Sequence, residues 1–238
     1  MNTQTGAGFT VIIAAYNEAA VIAKTIARAH QVWPDAQIIV VDDGSTDDTC
    51  AAVKNINVPY LRLHSYQPNR GKGFAIARGI ELVETPCSLQ LDADCQFPPE
   101  AMPALAAPLA DGQSHLVFCS RYCAGGSIES GSVSGAKRLA SKTASRLVSL
   151  LTGQTLTDVF AGFKAWDTAF ARGLALSEPG FGYEAELAIK AAGKGETITE
   201  IPITYAARLG GESKIRFSRD LITVPLSIIR VWLEVKFR

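Results

Sequence analysis

Short apolar runs that break into acidic or amide residues recur three times in the first hundred positions. Phe9-Thr10-Val11-Ile12-Ile13-Ala14 leads into Tyr16-Asn17-Glu18, Gln37-Ile38-Ile39-Val40-Val41 into Asp42-Asp43-Gly44-Ser45, and Cys87-Ser88-Leu89-Gln90-Leu91 into Asp92-Ala93-Asp94-Cys95-Gln96. Runs of this length, rich in β-branched residues and bounded by turn formers, predict buried parallel strands. Between them, apolar residues return at helical spacing. Val21, Ile22 and Ile26 predict one helix, Ser45 with Asp48 has the spelling of a capping box opening a second through Lys54, and Ile76, Ile80 and Val83 mark one face of a third over residues 71–84. Residues 60–64 and 115–120 predict further strands, and Pro98-Pro99-Glu100 a helix start. The alternation predicts a single α/β, Rossmann-like domain with a mostly parallel central sheet flanked by helices. In such a sheet the ligand crevice lies beyond the carboxyl ends of the strands, so the three polar clusters should meet at one rim.

The C-terminal pattern is different. Asp220, Thr223, Ser227, Arg230, Glu234 and Arg238 draw one polar stripe down a helix whose other faces are apolar. This predicts a domain over residues 1–218 followed by an amphipathic helix over 219–238. Its apolar surface must be covered by a membrane, by the body of the protein, or by a second subunit or membrane-protein partner. Trp232 and Phe237 with Arg230, Lys236 and Arg238 favour an anionic lipid surface, while Pro225 would kink or delay the helix. The glycine- and serine-rich stretch 125–135 predicts a mobile loop.

Composition narrows the class. The formal net charge of the 238 residues is zero, which argues against a dedicated nucleic-acid binder. Residues 208–238 nevertheless carry seven Lys/Arg against three Asp/Glu. The five cysteines are an odd number without a Cys-x-x-Cys pair, fitting buried thiols in a reducing compartment, and His30, His64 and His115 are scattered singly. With no signal peptide and no apolar run of the roughly 18 residues a membrane span needs, the expected location is the cytoplasm or, peripherally, the cytosolic face of a membrane.

The candidate chemistry centres on Asp92, Asp94 and Gln96. Asp-x-Asp alone also caps helices and builds turns; here it falls where two other polar clusters converge. Two carboxylates and an amide offer oxygen ligands to a hard divalent cation, Mg2+ or Mn2+, which would bridge a diphosphate. Gly71-Lys72-Gly73 is neither a dinucleotide fingerprint, because Ile76 stands at its third glycine, nor a P-loop, because Tyr66 stands at the first glycine of that motif.

Ala14-Ala15-Tyr16-Asn17-Glu18, Asp42-Asp43-Gly44-Ser45, Asn69-Arg70-Gly71-Lys72-Gly73, Asp92-Ala93-Asp94-Cys95-Gln96, Ser120-Arg121-Tyr122, residues 158–164 and Gly211-Glu212-Ser213-Lys214 occur in the order found in family 2 glycosyltransferases. Over residues 9–216 the chain most resembles the branch containing dolichyl-phosphate mannose synthase and polyprenyl-phosphate glycosyltransferases. The resemblance implies a GT-A fold, a nucleotide-sugar donor linked to GDP or UDP, a divalent metal and inversion at the anomeric carbon. It places Ala14, Tyr16, Glu18, Val41 and Asp43 around the base and ribose, with Ala14 departing from the proline usual there. Asp92, Asp94 and Gln96 become metal ligands, and the backbone at Ala93 lies beside the diphosphate. Arg121, Arg208 and Lys214 match basic residues that hold phosphate, and Lys72 matches a common lysine of the family. Tyr183, Glu184 and Glu186 resemble an aromatic-acidic segment near sugar and acceptor. Residues 160–164 resemble glucosyl-type more than mannosyl-type transferases.

The implied activity is hexosyl transfer to a polyprenyl or dolichyl phosphate. Such an acceptor is largely dianionic near neutral pH, its second pKa being about 6, and attacks without losing a proton. An acceptor hydroxyl on a glycan or lipid would instead need a base, for which Asp158 is the candidate; it is otherwise a positioner. A non-catalytic nucleotide-sugar-binding protein is the remaining alternative. It would be expected to lack a metal ligand or Asp158, and the chain keeps both.

Overall fold

The computed structural model describes residues 1–208 and 217–237. In chain order the elements are β1 (Phe9–Ala15), α1 (Ile22–Val32), β2 (Gln37–Asp42), α2 (Thr49–Lys54), β3 (Leu61–Ser65), α3 (Lys72–Leu82), β4 (Cys87–Leu91), a 3-10 turn (Pro99–Ala101), α4 (Met102–Ala110), β5 (Leu116–Ser120), β6 (Ser127–Ile128), α5 (Gly135–Thr152), β7 (Phe163–Asp167), α6 (Thr168–Gly173), α7 (Tyr183–Gly193), β8 (Thr199–Pro202), β9 (Thr204–Tyr205) and α8 (Phe217–Lys236).

Seven strands form one sheet in the order β3-β2-β1-β4-β7-β5-β8. All neighbours run parallel except β7, which is antiparallel to β4 and β5. The period of two along β1 sorts its side chains between two layers. Phe9, Val11 and Ile13 face α1 and α4 through Ile22, Ile26, Trp33, Met102 and Leu105. Ile12 faces the other way, with Ile39 and Val41, toward Ile76 and Ile80 of α3, Leu187 of α7 and Ile228 of α8. The α/β architecture with a mostly parallel sheet is the one expected. Because the strand order runs outward in both directions from β1 and β4, the segments leaving those two strands flank the switch point where crevices form.

Three local expectations are corrected. Helix α2 begins at Thr49, and Ser45 does not cap it: the Ser45 hydroxyl accepts from the Asn17 amide at 2.9 Å, while Asp47 Oδ1 accepts from the Thr49 amide at 3.0 Å. A carboxylate two residues back closes the turn, as an Asx turn does. The stretch 125–135 is tied down in part, since β6 pairs with β9. Pro225 lies inside α8 and does not delay its start.

Helix α8 packs on α5 and α7. Ile228 and Val231 are fully buried, and Val224, Trp232 and Val235 pack against the same cluster. The Trp232 indole donates to the Leu151 carbonyl at 3.0 Å. Packing against the body therefore covers one apolar face and leaves another bare: Leu221, Ile222, Leu226, Ile229, Leu233 and Phe237 are all exposed, Phe237 by 77%. No helix among the described residues is long and apolar enough to cross a membrane. All five cysteines are free thiols.

Candidate active site

The segment leaving β4 is held from both sides. Thr25 of α1 donates to the Ala93 carbonyl at 2.7 Å, and the Gln96 amide donates to Asp94 Oδ1 at 3.1 Å. Cys95 turns the chain with a φ of 61°. From the other side comes Gly162, just ahead of β7. Because β7 runs against its neighbours, its first residues sit at the rim, and a Cβ on Gly162 would overlap the Asp92 carboxylate. Only glycine permits that approach.

Asp92, Asp94 and Glu18 are each met by a cation. Lys72, the first residue of α3, places its ammonium 2.7 Å from Asp92 Oδ1. Arg208 reaches Asp94 Oδ2 at 2.5 Å and Glu18 Oε1 at 3.6 Å. Burial pushes the Asp92 carboxyl up, and the Lys72 ammonium opposes that without overcoming it. For Lys72 burial disfavours the charge, but Asp92 and Glu184 outweigh it and raise the ammonium above its usual range.

Behind Lys72 lies a second pair. The Lys72 ammonium is 3.4 Å from Glu184 Oε1, and Glu184 Oε2 is paired with Lys164, whose ammonium also donates to the Ala161 carbonyl. Lys164 has no solvent exposure and stands 4.7 Å over the Phe118 ring. The Tyr183 hydroxyl lies 2.9 Å from both Gln90 Oε1 and Glu184 Oε1. Burial pushes the Glu184 carboxyl up, yet Lys164 and Lys72 more than offset it and leave it below the usual carboxylate range. In the sequence Lys164 is visible only as the last residue of the 158–164 motif and as a lysine between Phe163 and Ala165-Trp166.

Arg121 and Asp158 face each other across the mouth of β5 and the segment preceding β7. Arg121 Nε donates to Asp158 Oδ2 at 2.6 Å, Nη2 to Oδ1 at 2.8 Å, and the Arg121 amide to Oδ2 at 3.0 Å. Asp158 has no exposure, and Arg121 has 9%. Tyr205 and Tyr122 offer their rings to the guanidinium at 5.0 and 5.3 Å.

On the β1–β2 side the turn carrying Tyr16, Asn17 and Glu18 is stitched to the turn after β2. The Asn17 side-chain oxygen accepts from the Thr46 amide at 2.7 Å and the Glu18 amide donates to Thr49 Oγ1 at 2.9 Å. Ala14 is half-buried near the end of β1. Two residues expected around the base and ribose have partners within the protein itself. The Val41 side chain is fully buried in the core against α3, because it falls on the inward phase of β2. Asp43 accepts from Tyr66 Oη at 2.9 Å and from Asn69 Nδ2 and the Arg70 and Gly71 amides at 2.8 Å, so its carboxylate is spent on shaping the loop that delivers Lys72. Glu186 also turns away: it accepts from Ser177 and Glu178 amides and pairs with Lys190 at 2.7 Å. Lys214, with Gly211, Glu212 and Ser213, lies outside the described residues, as does Arg238.

The donor set fits a divalent cation that arrives with phosphate. Among the described residues no group of three or more His, Cys, Asp or Glu could hold a metal ion by itself. Two carboxylates and an amide are present, the Gln96 amide nitrogen being engaged by the Ala206 carbonyl at 3.2 Å, which leaves its oxygen as the remaining acceptor. Mg2+ is commonly held in this way, by one or two carboxylates completed by substrate phosphates.

Comparison with known proteins identifies the family. The profile of the family described as Glycosyl transferase family 2 matches residues 10–165. The undecaprenyl-phosphate mannosyltransferase of Micrococcus luteus is 30% identical over 217 residues, covering 86% of this chain and 86% of that protein. A dolichol-phosphate mannosyltransferase of Pyrococcus furiosus is 30% identical over 212 residues and 87% of this chain, which spans 59% of that protein's length. Among solved structures, glucosyl-3-phosphoglycerate synthase from Mycobacterium tuberculosis in complex with Mn2+, UDP-glucose and phosphoglyceric acid superposes over 97% of this chain and 81% of that one with a TM-score of 0.74. Its 22% identity makes that a likeness of fold, the GT-A fold.

Proposed function

Since the chain belongs to glycosyl transferase family 2 and is a glycosyltransferase, we propose that it moves a hexose, with inversion, from a GDP- or UDP-linked donor to a polyprenyl or dolichyl phosphate. Asp92, Asp94 and Gln96 would hold Mg2+ or Mn2+, which neutralises the charge that develops on a diphosphate leaving group. Glu18, Tyr16, Ala14 and the Ala93 backbone line the donor side of the rim. Lys72 and Arg208, both paired with acidic side chains at this spot, would supply positive charge beside the leaving group.

The acceptor assignment rests on one observation: both carboxylate oxygens of the buried Asp158 are engaged by Arg121. A general base needs a lone pair within reach of the proton it removes. Asp158 instead holds Arg121 in one orientation, with the guanidinium close to the rings of Tyr122 and Tyr205. That suits a nucleophile that needs gathering and not deprotonation, such as a phosphate dianion. The same pairing, with Asp158 fully buried, weighs against the hydroxyl-acceptor reading, which needs Asp158 as its base. The names of the Micrococcus and Pyrococcus relatives, both transferases to lipid phosphates, point the same way.

A lipid acceptor also accounts for α8. Ser227 abuts Gly182 at the start of α7, and Val235 abuts Gly193 at its end, so the two helices run alongside in the same direction. Leu221, Ile222 and Leu226 therefore overhang the end of α7 that carries Glu184. We assign residues 1–218 to the transferase and 219–238 to a peripheral contact that brings the rim to the membrane surface. The deciding experiment is a screen of GDP- and UDP-sugars with and without a polyprenyl phosphate. Sugar transfer that requires the lipid phosphate is expected. Transfer to hydroxyl acceptors with no use of the lipid phosphate would overturn the reading.

A further inference from the structure

Lys164, Glu184, Lys72 and Asp92 form a line of alternating charge running from the middle of the sheet to the rim. The inner members are sealed, Lys164 at 0% and Glu184 at 2% exposure, while Lys72 and Asp92 retain 19% and 22%. A fully buried ion pair rarely adds net stability over apolar residues of the same size, so its presence in the core calls for another account. The geometry at Lys72 supplies one. Its ammonium is 2.7 Å from Asp92 Oδ1 and 3.4 Å from Glu184 Oε1, so a movement of less than an ångström exchanges one carboxylate for the other.

Resting on the metal-bound reading of Asp92, we propose that the Lys164–Glu184 pair is a positioning device that receives Lys72 when a divalent cation takes Asp92. Lys72 and the incoming metal compete for the same carboxylate. Without a second acceptor, Lys72 would stay on Asp92, since it would otherwise be left charged and unpaired in a largely enclosed position. Glu184 is that acceptor. Lys164 sets its strength: by neutralising much of the Glu184 charge from the far side, it keeps Glu184 from capturing Lys72 outright. Lys72 is thus shared between two carboxylates, released by one as the other is claimed. Lys164 never touches the substrate; it acts through Glu184 and Lys72.

Mn2+ affinity of the full chain without nucleotide, read by electron paramagnetic resonance of the free ion, tests this. Removing the pair as a neutral unit, Lys164→Met with Glu184→Gln, avoids leaving one buried charge unpaired. It should weaken Mn2+ binding about tenfold, in the range of ordinary coupling between sites. Adding Lys72→Met should restore the affinity to that of the Lys72→Met single variant, because the competitor is gone. A merely structural role for the pair predicts that the triple variant stays as weak as the double, and that result, or an unchanged double variant, overturns the proposal. A wild-type chain that binds no Mn2+ would instead remove the metal reading beneath it. As a check on the unaltered protein, Mg2+ should shift the side-chain NMR signals of both Lys72 and Lys164; a Lys164 signal indifferent to Mg2+ that has displaced Lys72 would also refute it.

Discussion

Arg121 binds both oxygens of Asp158, at 2.6 and 2.8 Å, from a position that excludes water from the pair almost completely. Breaking such a pair leaves an uncompensated buried charge. Asp158→Ala should therefore lower the unfolding free energy by about 3–5 kcal/mol, and Arg121→Met combined with Asp158→Leu should regain most of it. Urea unfolding of the two variants checks this. A stable Asp158→Ala that has lost only turnover would return Asp158 to the role of base.

Asp94→Ala should lower the rate of sugar transfer about a hundredfold or more, the scale of removing one electrostatic stabiliser from a developing negative charge. Chelation should abolish turnover, and Mg2+ or Mn2+ should restore it. Full activity in excess chelator would refute the metal reading.

Gly162→Ala should disturb the site more than so small a change suggests, because the added methyl overlaps the Asp92 carboxylate. Overpacking of this kind costs about 1–3 kcal/mol, and a displacement of about an ångström at a ligand lowers the rate by about a hundredfold. The expected result is a folded protein, by circular dichroism, with transfer activity reduced to that extent.

Glu186 gives the fold a dependence on acid. Burial pushes its carboxyl up, but Lys190 and the amides of Glu178 and Ser177 more than offset this and hold it below its ordinary value of 4.5. A depressed carboxylate stabilises the fold above the unfolded value, and that contribution fades as pH falls through the lower, folded one. Glu186→Gln should then be less stable than wild type by about 2 kcal/mol near neutral pH, with the gap closing below pH 4.5. Thermal melts across that window measure it; a gap constant with pH would mean the loss is one of packing.

Ile222 and Leu226 are 63% and 66% exposed, so Ile222→Glu and Leu226→Glu should leave the melting temperature unchanged while reducing co-sedimentation with anionic vesicles. Ile228→Glu, at a buried position, should unfold the helix and its surroundings. If the exposed substitutions sediment like the wild type at low salt, the bare stripe serves contact with protein instead.

The parallel half of the fold was legible because each strand there is a continuous apolar run ending in a polar cluster, so strand, rim and candidate ligands are read from one pattern. Asp92 and Asp94 were visible in this way. The surroundings of Val41 and Asp43 were not legible, because position beside a rim does not reveal which phase of β2 points inward, or that Tyr66 and Asn69 would return to a carboxylate. The second half was harder. Strand β7 places a lysine between apolar residues, and the partner of that lysine is 20 residues away on helix α7. Long-range ion pairs leave no local period to read.

The reversed direction of β7 divides the crevice into two separately adjustable walls. One is built from the ends of β1, β2 and β4. The other is delivered by the chain entering β7 and by α7, β8 and α8, and the stretch matched by the family profile, ending at residue 165, stops inside β7 before most of that second wall has been written. For protein engineering this marks a seam. A graft of the segments beyond β7 would leave Gly162, and with it the approach to Asp92, on the retained side of that seam.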